Sequence, residues 1–276
     1  VLVCAALAAA LRRWRLLPLA AVVTLLYTAG DVWSYVPKSP PAIAGETLRV
    51  MSVNLLGSNG QHDGVVAEVL AADADVVFIQ EYMPAWHAAF TKALAEKYPY
   101  SICHVRNDFF GQALYSRRPF VDASDDVALG QRETPLIRAV IELNGRDVAL
   151  YNVHLVPPKG RGRREQRLEF ADLCDLLRAE RLSMIVAGDF NFTGTSSFAS
   201  ELRGLELTDA HDISGVGRGS TWPDERWWWS DNLPGLRLDH IYLTPGLTST
   251  ESRVGEGKGS DHRPVVAVVG FVAGQR

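Results

Sequence analysis

Three short polar motifs carry the residue types of hydrolytic chemistry: Gly188-Asp189-Phe190-Asn191, Leu238-Asp239-His240 and Ser260-Asp261-His262, each abutting an apolar run. The run Met184-Ile185-Val186-Ala187 reads as a buried strand, and a strand ending in Asp-Phe-Asn delivers a carboxylate and an amide to a sheet edge. Asn54 follows Val50-Met51-Ser52-Val53, and Gln80-Glu81 follows Val76-Val77-Phe78-Ile79, so both also fall at strand ends. A hard divalent cation such as magnesium takes oxygen ligands and keeps several waters, so one or two carboxylates with an amide suffice, and Glu81 is the first choice of ligand. His154 closes the strand-like run Val148 to Val153, and His262 stands just before the last strand. A histidine at either place can donate to a phosphate oxygen, and one held by a carboxylate such as Asp239 is fixed in tautomer and raised in basicity. These are the groups needed for attack of water on a phosphoester. Taken singly, each acidic or amide residue reads as a helix cap or a solvated turn, and a lone histidine as structural; their combination favours a site. His62, His87, His104, His211 and His240 lack an equal case, His240 being the closest to one because it follows Asp239.

The elements that must position these residues alternate in type. Strand-like runs are Leu48 to Val53, Val76 to Ile79, Gln112 to Tyr115, Leu136 to Leu143, Val148 to Leu155, the Met184 run and Pro264 to Val269; helical patterns cover Val65 to Ala72, Ala85 to Tyr98 and Arg163 to Arg181. Asn144-Gly145 between two of the strands is a strong hairpin signal. Helices between the early strands and a strand-dense middle predict two packed sheets flanked by helices.

Before residue 37 the chain has a different character. Val1 to Leu11 is almost wholly apolar, Arg12-Arg13-Trp14-Arg15 is a basic break, and a second apolar stretch from Leu16 leads to Trp33 and Tyr35. A spanning helix needs roughly 20 apolar residues, which Leu16 to Val36 reaches with Pro18 and Asp31 near its ends. The expected organisation is a membrane anchor over 1–36, a proline-rich linker over 37–47 and a catalytic domain over 48–276. Because the chain opens on Val1, the first stretch is expected to be the tail of a truncated membrane helix. Arginines held inside would put the catalytic domain on the outer, extracytoplasmic face; a cleaved signal sequence and a buried soluble helix are the competing readings. With a net charge of −4 there is no global field to gather nucleic acid, so a bulk polyanion binder is disfavoured. The three cysteines, Cys4, Cys103 and Cys174, show no zinc or disulfide spacing, and the last two are expected as core residues.

Val50-Met51-Ser52-Val53-Asn54, Ile79-Gln80-Glu81, Asn152-Val153-His154-Leu155, Gly188-Asp189-Phe190-Asn191, Leu238-Asp239-His240-Ile241 and Ser260-Asp261-His262-Arg263-Pro264 together resemble the ordered motifs of the endonuclease/exonuclease/phosphatase superfamily. The resemblance implies a four-layer α/β sandwich with two central mixed sheets flanked by helices, to which the N-terminal apolar helix would be added. It implies a magnesium-dependent phosphoesterase site, with manganese as a substitute ion. Glu81 would bind the metal with Asn54 and Asp261. Asp189 would orient or deprotonate the attacking water, and Asn191 would hold phosphate or metal-bound water. His262, oriented by Asp239, would contact the phosphate and transfer a proton, and His154 would stabilise charge on the phosphoryl oxygens. A histidine at position 154 is similar to the deoxyribonuclease, sphingomyelinase and inositol-phosphatase branches, and disfavours a repair endonuclease.

The substrate is less sharply drawn. Arg161, Arg163, Arg164 and Arg167 crowd a helix start after His154, and Arg164 is the candidate for a second phosphate or an anionic headgroup; a solvated helix terminus is the plain alternative. Trp222 and Trp227-Trp228-Trp229 cannot all face one core, so at least one is expected at a surface or pocket. The expectation is a bacterial membrane-tethered phosphoesterase, resembling membrane-anchored members of the superfamily and acting on a lipid-linked phosphate or pyrophosphate. A secreted or surface nuclease is the second reading, and a catalytically silent membrane-associated binding module the third. No obligate protein partner is inferred.

Overall fold

The computed structural model describes residues 35–224 and 235–274, with Pro18, Ala21, Val22, Leu25, Val32 and Ser34 before them. The expected anchor over 1–36 and the Trp227–Trp229 triplet lie largely or wholly outside the described residues. Among the described residues no helix is long and apolar enough to cross a membrane. The chain divides into two compact units, one of residues 1–38 with 216–218 and one of 39–215 with 219–276; the larger carries every site residue discussed below.

Among the described residues, twelve strands build the larger unit: β1 (Ile43–Asn54), β2 (Val76–Gln80), β3 (Tyr100–His104), β4 (Gln112–Ser116), β5 (Asp122–Leu129), β6 (Thr134–Leu143), β7 (Arg146–His154), β8 (Ser183–Asp189), β9 (Thr208–Asp209), β10 (Asp239–Leu243), β11 (Leu247–Val254) and β12 (Val265–Val272). They form two six-stranded sheets, ordered β11-β12-β1-β2-β4-β3 and β5-β6-β7-β8-β10-β9. Each sheet is mixed: β1 with β2 and β7 with β8 run parallel, and the remaining neighbours run antiparallel.

Alternation along the strands divides the apolar side chains between faces. Leu48, Val50, Val76 and Phe78 from the first sheet meet Ile137, Ile141, Leu150 and Ile185 from the second in the central core. The opposite face of the first sheet, with Met51, Val53, Val77 and Ile79, is covered by α1 (His62–Ala72) and α2 (Pro84–Leu94) through Val65, Val69, Trp86 and Phe90. The opposite face of the second sheet is covered by α3 (Gly162–Ala179) and α4 (Ser197–Gly204) through Phe170, Leu173, Cys174 and Leu202. Central strands are therefore apolar on both faces, which is why their sequences read as continuous apolar runs.

Helix ends follow local chemistry. α1 stops where Asp73 turns left-handed, and α2 starts with Pro84 in its first turn, where the missing N–H costs nothing. The Asn144-Gly145 turn joins β6 to β7 with both residues at positive φ, and Leu143 pairs with Arg146 across it.

Candidate active site

Two parallel strand pairs, one per sheet, end at the same edge of the sandwich and set the spacing of the site. In the first sheet Asn54 lies beside Gln80, which brings Glu81 within reach of it; Asn54 Nδ2 donates to Glu81 Oε1 at 3.2 Å. In the second sheet His154 pairs with Asp189 and Asp189 with Asp239, so three functional side chains stand in one row on one face. The sheets meet at this edge, where Asn54 Nδ2 also donates to Asp189 Oδ2 at 3.0 Å.

Local backbone choices make the row possible. Gly188 has φ 149°, and a Cβ there would lie 1.8 Å from the Val153 carbonyl oxygen, so only glycine lets β8 press against β7 immediately before Asp189. Asn191 is left-handed, a conformation asparagine tolerates; its N–H donates to Asp189 Oδ1 at 2.9 Å and its Nδ2 to the Leu155 carbonyl at 2.8 Å. Ser260 clamps the last motif, donating to the Asn54 carbonyl at 2.7 Å and accepting the His262 N–H at 3.1 Å.

Asp239 Oδ2 and His262 Nδ1 are 2.8 Å apart and both residues are buried. The other ring nitrogen of His262 lies 3.7 Å from Asp189 Oδ2, as does Nε2 of His154. These gaps are too long for direct hydrogen bonds and leave two ring nitrogens converging on one carboxylate oxygen. Burial opposes charging His262, but the Asp239 and Asp189 carboxylates outweigh it and push the ring up to about 10. His154 behaves oppositely, because burial outweighs the same carboxylates and lowers it. Burial also raises Asp189, against the pull of His262. The two histidines are thus shifted in opposite directions around a carboxyl that burial makes more basic.

Two acidic groupings could hold a cation. Asp189, Asp239 and His262 place ligand atoms within 4.8 Å of one another, but the Asp239–His262 hydrogen bond already occupies one ligand atom of each. Glu81 and Asp261 line the same cleft and suit an ion better. Burial pushes the Glu81 carboxyl up, and the Asp261 carboxylate adds to this against hydrogen bonds from Gly57 and Asn54. The two carboxylates repel one another, and a hard divalent ion would relieve that repulsion; the Asn54 amide steadies Glu81 through Nδ2, while its Oδ1 accepts the Leu56 N–H at 3.0 Å.

Every residue of the expected set except Arg164 therefore gathers at this edge. Arg164 is exposed in the first turn of α3 and is not among the cleft-lining residues, where Arg132 and Lys159 stand instead. His240 is buried behind the row, between Asp209 Oδ2 at 2.6 Å and the Phe192 carbonyl at 3.0 Å, and faces away from the cleft chemistry. Trp222 lines the cleft and donates through Nε1 to Asp261 Oδ2 at 3.2 Å. Thr221, whose hydroxyl accepts the N–H groups of Leu238 and Asp239, had no signal in the sequence. Gln166, which donates from α3 to the Phe190 and Asn191 carbonyls, had only its place on a helical pattern.

A model of the family described as Endonuclease/Exonuclease/phosphatase family matches residues 51–262. Among solved structures, an endonuclease/exonuclease/phosphatase from Beutenbergia cavernae DSM 12333 is 19% identical with a TM-score of 0.65, over 82% of this chain and 72% of that one. D. rerio TDP2, solved with a single-strand DNA product, is 18% identical with a TM-score of 0.68, over 82% of this chain and 100% of that one. Sphingomyelinase C from Streptomyces griseocarneus is 18% identical with a TM-score of 0.60, over 81% of this chain and 99% of that one. These three are likenesses of fold. No curated protein sequence matches the chain significantly.

Proposed function

The chain belongs to the endonuclease/exonuclease/phosphatase family, and from that premise we propose that it is a magnesium-dependent phosphoesterase, tethered to a membrane by residues 1–36 and working outside the cytoplasm on a lipid-linked phosphate or pyrophosphate. The observation that carries the hydrolytic part is the buried line His154–Asp189–Asp239–His262 at the base of a cleft that Glu81 and Asp261 also line. The tether rests on the apolar N-terminal sequence and its arginine break.

In this reading Glu81 and Asp261 would hold the ion, with Asn54 steadying Glu81 and able to join as a ligand if its amide turned, and the ion would supply Lewis-acid polarisation of a phosphoryl oxygen. His262, pushed toward its charged form, and His154, pushed toward its neutral form, each aim a ring nitrogen toward Asp189 Oδ2 from 3.7 Å, where they can donate to a phosphoryl oxygen. Asp189, raised by burial, takes the proton of a water as it attacks phosphorus. Asn191 is held by Leu155 and Asp189 through its N–H and Nδ2, which leaves its side-chain Oδ1 to hold phosphate-bound or metal-bound water. Asp239 fixes the proton of His262 on Nδ1, so Nε2 presents its own proton to the phosphate and can pass it to the leaving oxygen.

The test is product analysis with the full chain in mild detergent, offered a lipid pyrophosphate and single- and double-stranded DNA, with magnesium or with chelator. Magnesium-dependent phosphate release from lipid, lost in Asp189→Asn, supports the reading. Oligonucleotide products alone would promote the nuclease, the activity class nearest to a neighbour solved with a DNA product. Turnover that survives chelator and Asp189→Asn would overturn the catalytic assignment.

A further inference from the structure

The catalytic row lies at the floor of a cleft of about 1030 Å³ whose walls are mostly apolar, with Phe109 and Phe110 on one side and Val156, Pro157, Pro158 and Phe198 on another. Single exposed apolar residues are ordinary on a protein surface. Several of them around one set of reacting groups are the usual lining of a ligand site.

The loop over 105–111, between β3 and β4, is built to hold the two phenylalanines there. Both its ends are tied to Tyr82, the residue after Glu81: the Tyr82 N–H donates to the Gly111 carbonyl at 2.8 Å and the Arg106 N–H to the Tyr82 carbonyl at 3.4 Å. Gly111 is obligatory for this approach, because a Cβ would lie 2.1 Å from the Tyr82 carbonyl oxygen. Inside the loop Asp108 pairs with Arg106 and accepts the Phe110 N–H. The turn forces Phe109 to φ 66°, an uncommon and strained conformation for a bulky residue.

The two rings straddle the site. Phe110 lies with its ring 5.2 Å from that of His154, tilted by 30°. Phe109 lies over Gly57, where an added Cβ would come within 2.9 Å of Phe109 Cδ1, and the Gly57 N–H donates to Glu81 Oε2 at 2.7 Å. Yet Phe109 remains 45% exposed, so packing does not account for holding it in a strained turn.

We propose that Phe109 and Phe110 form the specificity wall of the cleft and take a hydrocarbon chain attached to the phosphate that the catalytic row attacks. The inference rests on the phosphoesterase reading and names its substrate class, the phosphate esters of long-chain alcohols. A nucleobase fits the walls less well. Beyond the two phenylalanines the lining is largely aliphatic and proline-rich, with Leu56, Val156, Pro157 and Pro158 beside Phe198, and several short polar side chains are engaged within the protein: Asp108 with Arg106 and Phe110, Ser196 with the Ala199 N–H, and Thr193 with Thr195.

The experiment measures kcat and KM of the full chain for a series of n-alkyl phosphates from butyl to octyl and for a dinucleotide. Calorimetric binding of the matching non-hydrolysable alkyl phosphonates is measured in parallel. The expected result is a KM and a dissociation constant that fall with each added methylene, up to about fourfold per carbon, the factor for full burial of a methylene. In Phe109→Ser and Phe110→Ser that dependence flattens, and in Phe109→Leu, which keeps an apolar side chain, it is retained. Hydrolysis with no dependence on chain length, or a dependence untouched by both serine variants, overturns the hydrocarbon wall and leaves the phosphoesterase reading standing. Phosphonate binding that shows the dependence without hydrolysis of any ester supports the wall and removes the catalytic reading. A dinucleotide preferred over octyl phosphate, and lost in Phe109→Ser, overturns the proposal in favour of base stacking.

Discussion

Asp239 is the residue on which the proton geometry of the site depends, because it alone decides which nitrogen of His262 faces the cleft. Its Oδ2 holds Nδ1 at 2.8 Å, which leaves Nε2 beside Asp189. Asp239→Asn keeps size and shape but can present an N–H to Nδ1, favouring the wrong tautomer. The expected outcome is a fall in kcat of about 10²–10⁴-fold with a smaller change in KM and an unaltered unfolding midpoint. Steady-state kinetics with thermal unfolding checks it, and a loss confined to KM would reassign Asp239 to substrate binding. Most of this site was legible residue by residue, since Asp and His types at strand ends are visible in a linear sequence. His240 shows the limit. Standing next to Asp239, it was the least certain of the histidines left out of the site, and the structure supplies the reason for leaving it out: strand alternation turns consecutive side chains to opposite faces, and His240 meets Asp209 and the Phe192 carbonyl. Thr221 was illegible for another reason: its contacts with Leu238 and Asp239 are long-range, and a lone threonine in a loop has no periodic signature.

Elements were legible in proportion to their burial on two faces. The expected strands include β1, β2, β4, β6, β7, β8 and β12, all interior to their sheets, and the three expected helices coincide with α1, α2 and α3 within a few residues. The strands β3, β5, β9, β10 and β11 were not anticipated; four of them are the sheet edges, and β10 is the exception, an interior strand of five residues whose first two, Asp239 and His240, are polar. Edge strands pair on one side and meet water, so sequences such as Asp122-Ala123-Ser124-Asp125-Asp126 and Thr248-Ser249-Thr250-Glu251 carry little apolar signal. Helix α2 was expected to run to Tyr98 and ends at Leu94, because Tyr98 turns in to donate to the Ala74 carbonyl. How an element is fastened can be tested at the end of α3. There Glu180 Oε2 accepts from Arg138 and Tyr151, and Oε1 accepts the Arg181 and Leu182 N–H groups. Burial works against the carboxylate, but these donors prevail and hold Glu180 at about 2, below its ordinary 4.5. A depressed carboxyl contributes stability above its unfolded pKa and loses it as pH falls through the folded one. Glu180→Gln should therefore cost about 2 kcal/mol at pH 7, and its deficit against wild type should shrink between about pH 4.5 and 2. Denaturant midpoints at pH 7, 4 and 3 measure this, and a deficit independent of pH would mean that the charge contributes nothing.

At the scale of the whole molecule, the function requires two sheets to stay in one alignment, because Glu81 comes from one and His154 from the other. The core between the sheets is largely apolar and by itself indifferent to small slides. Near the active edge it is crossed by buried polar contacts. Gln80 Nε2 donates to Asn152 Oδ1 at 2.7 Å, and Asn152 Nδ2 donates to the Ile79 and Ala113 carbonyls at 2.9 and 3.0 Å. Both side chains are fully buried, so each is costly unless satisfied, and the bonds fix direction as well as distance. Gln80 directly precedes Glu81, and Asn152 stands two residues before His154, which places the crossing directly behind the reacting groups. Asn152→Leu removes the 2.7 Å acceptor of Gln80 Nε2, leaving it Ser52 Oγ at 3.3 Å, and strips the Ile79 and Ala113 carbonyls of the Asn152 donor, which should cost about 1–3 kcal/mol. It should also lower kcat by about 10²-fold, since a misplacement near 1 Å costs that much in a positioned reaction. Ile141→Val is the comparison: it trims the same core at a residue paired with Val148, early in β7, and should cost about 1 kcal/mol. Its kcat should stay at the wild-type level. If both variants lowered kcat in proportion to their loss of stability, general softening would account for the effect. A loss of turnover confined to Asn152→Leu would locate the alignment of the two half-sites in a single buried amide.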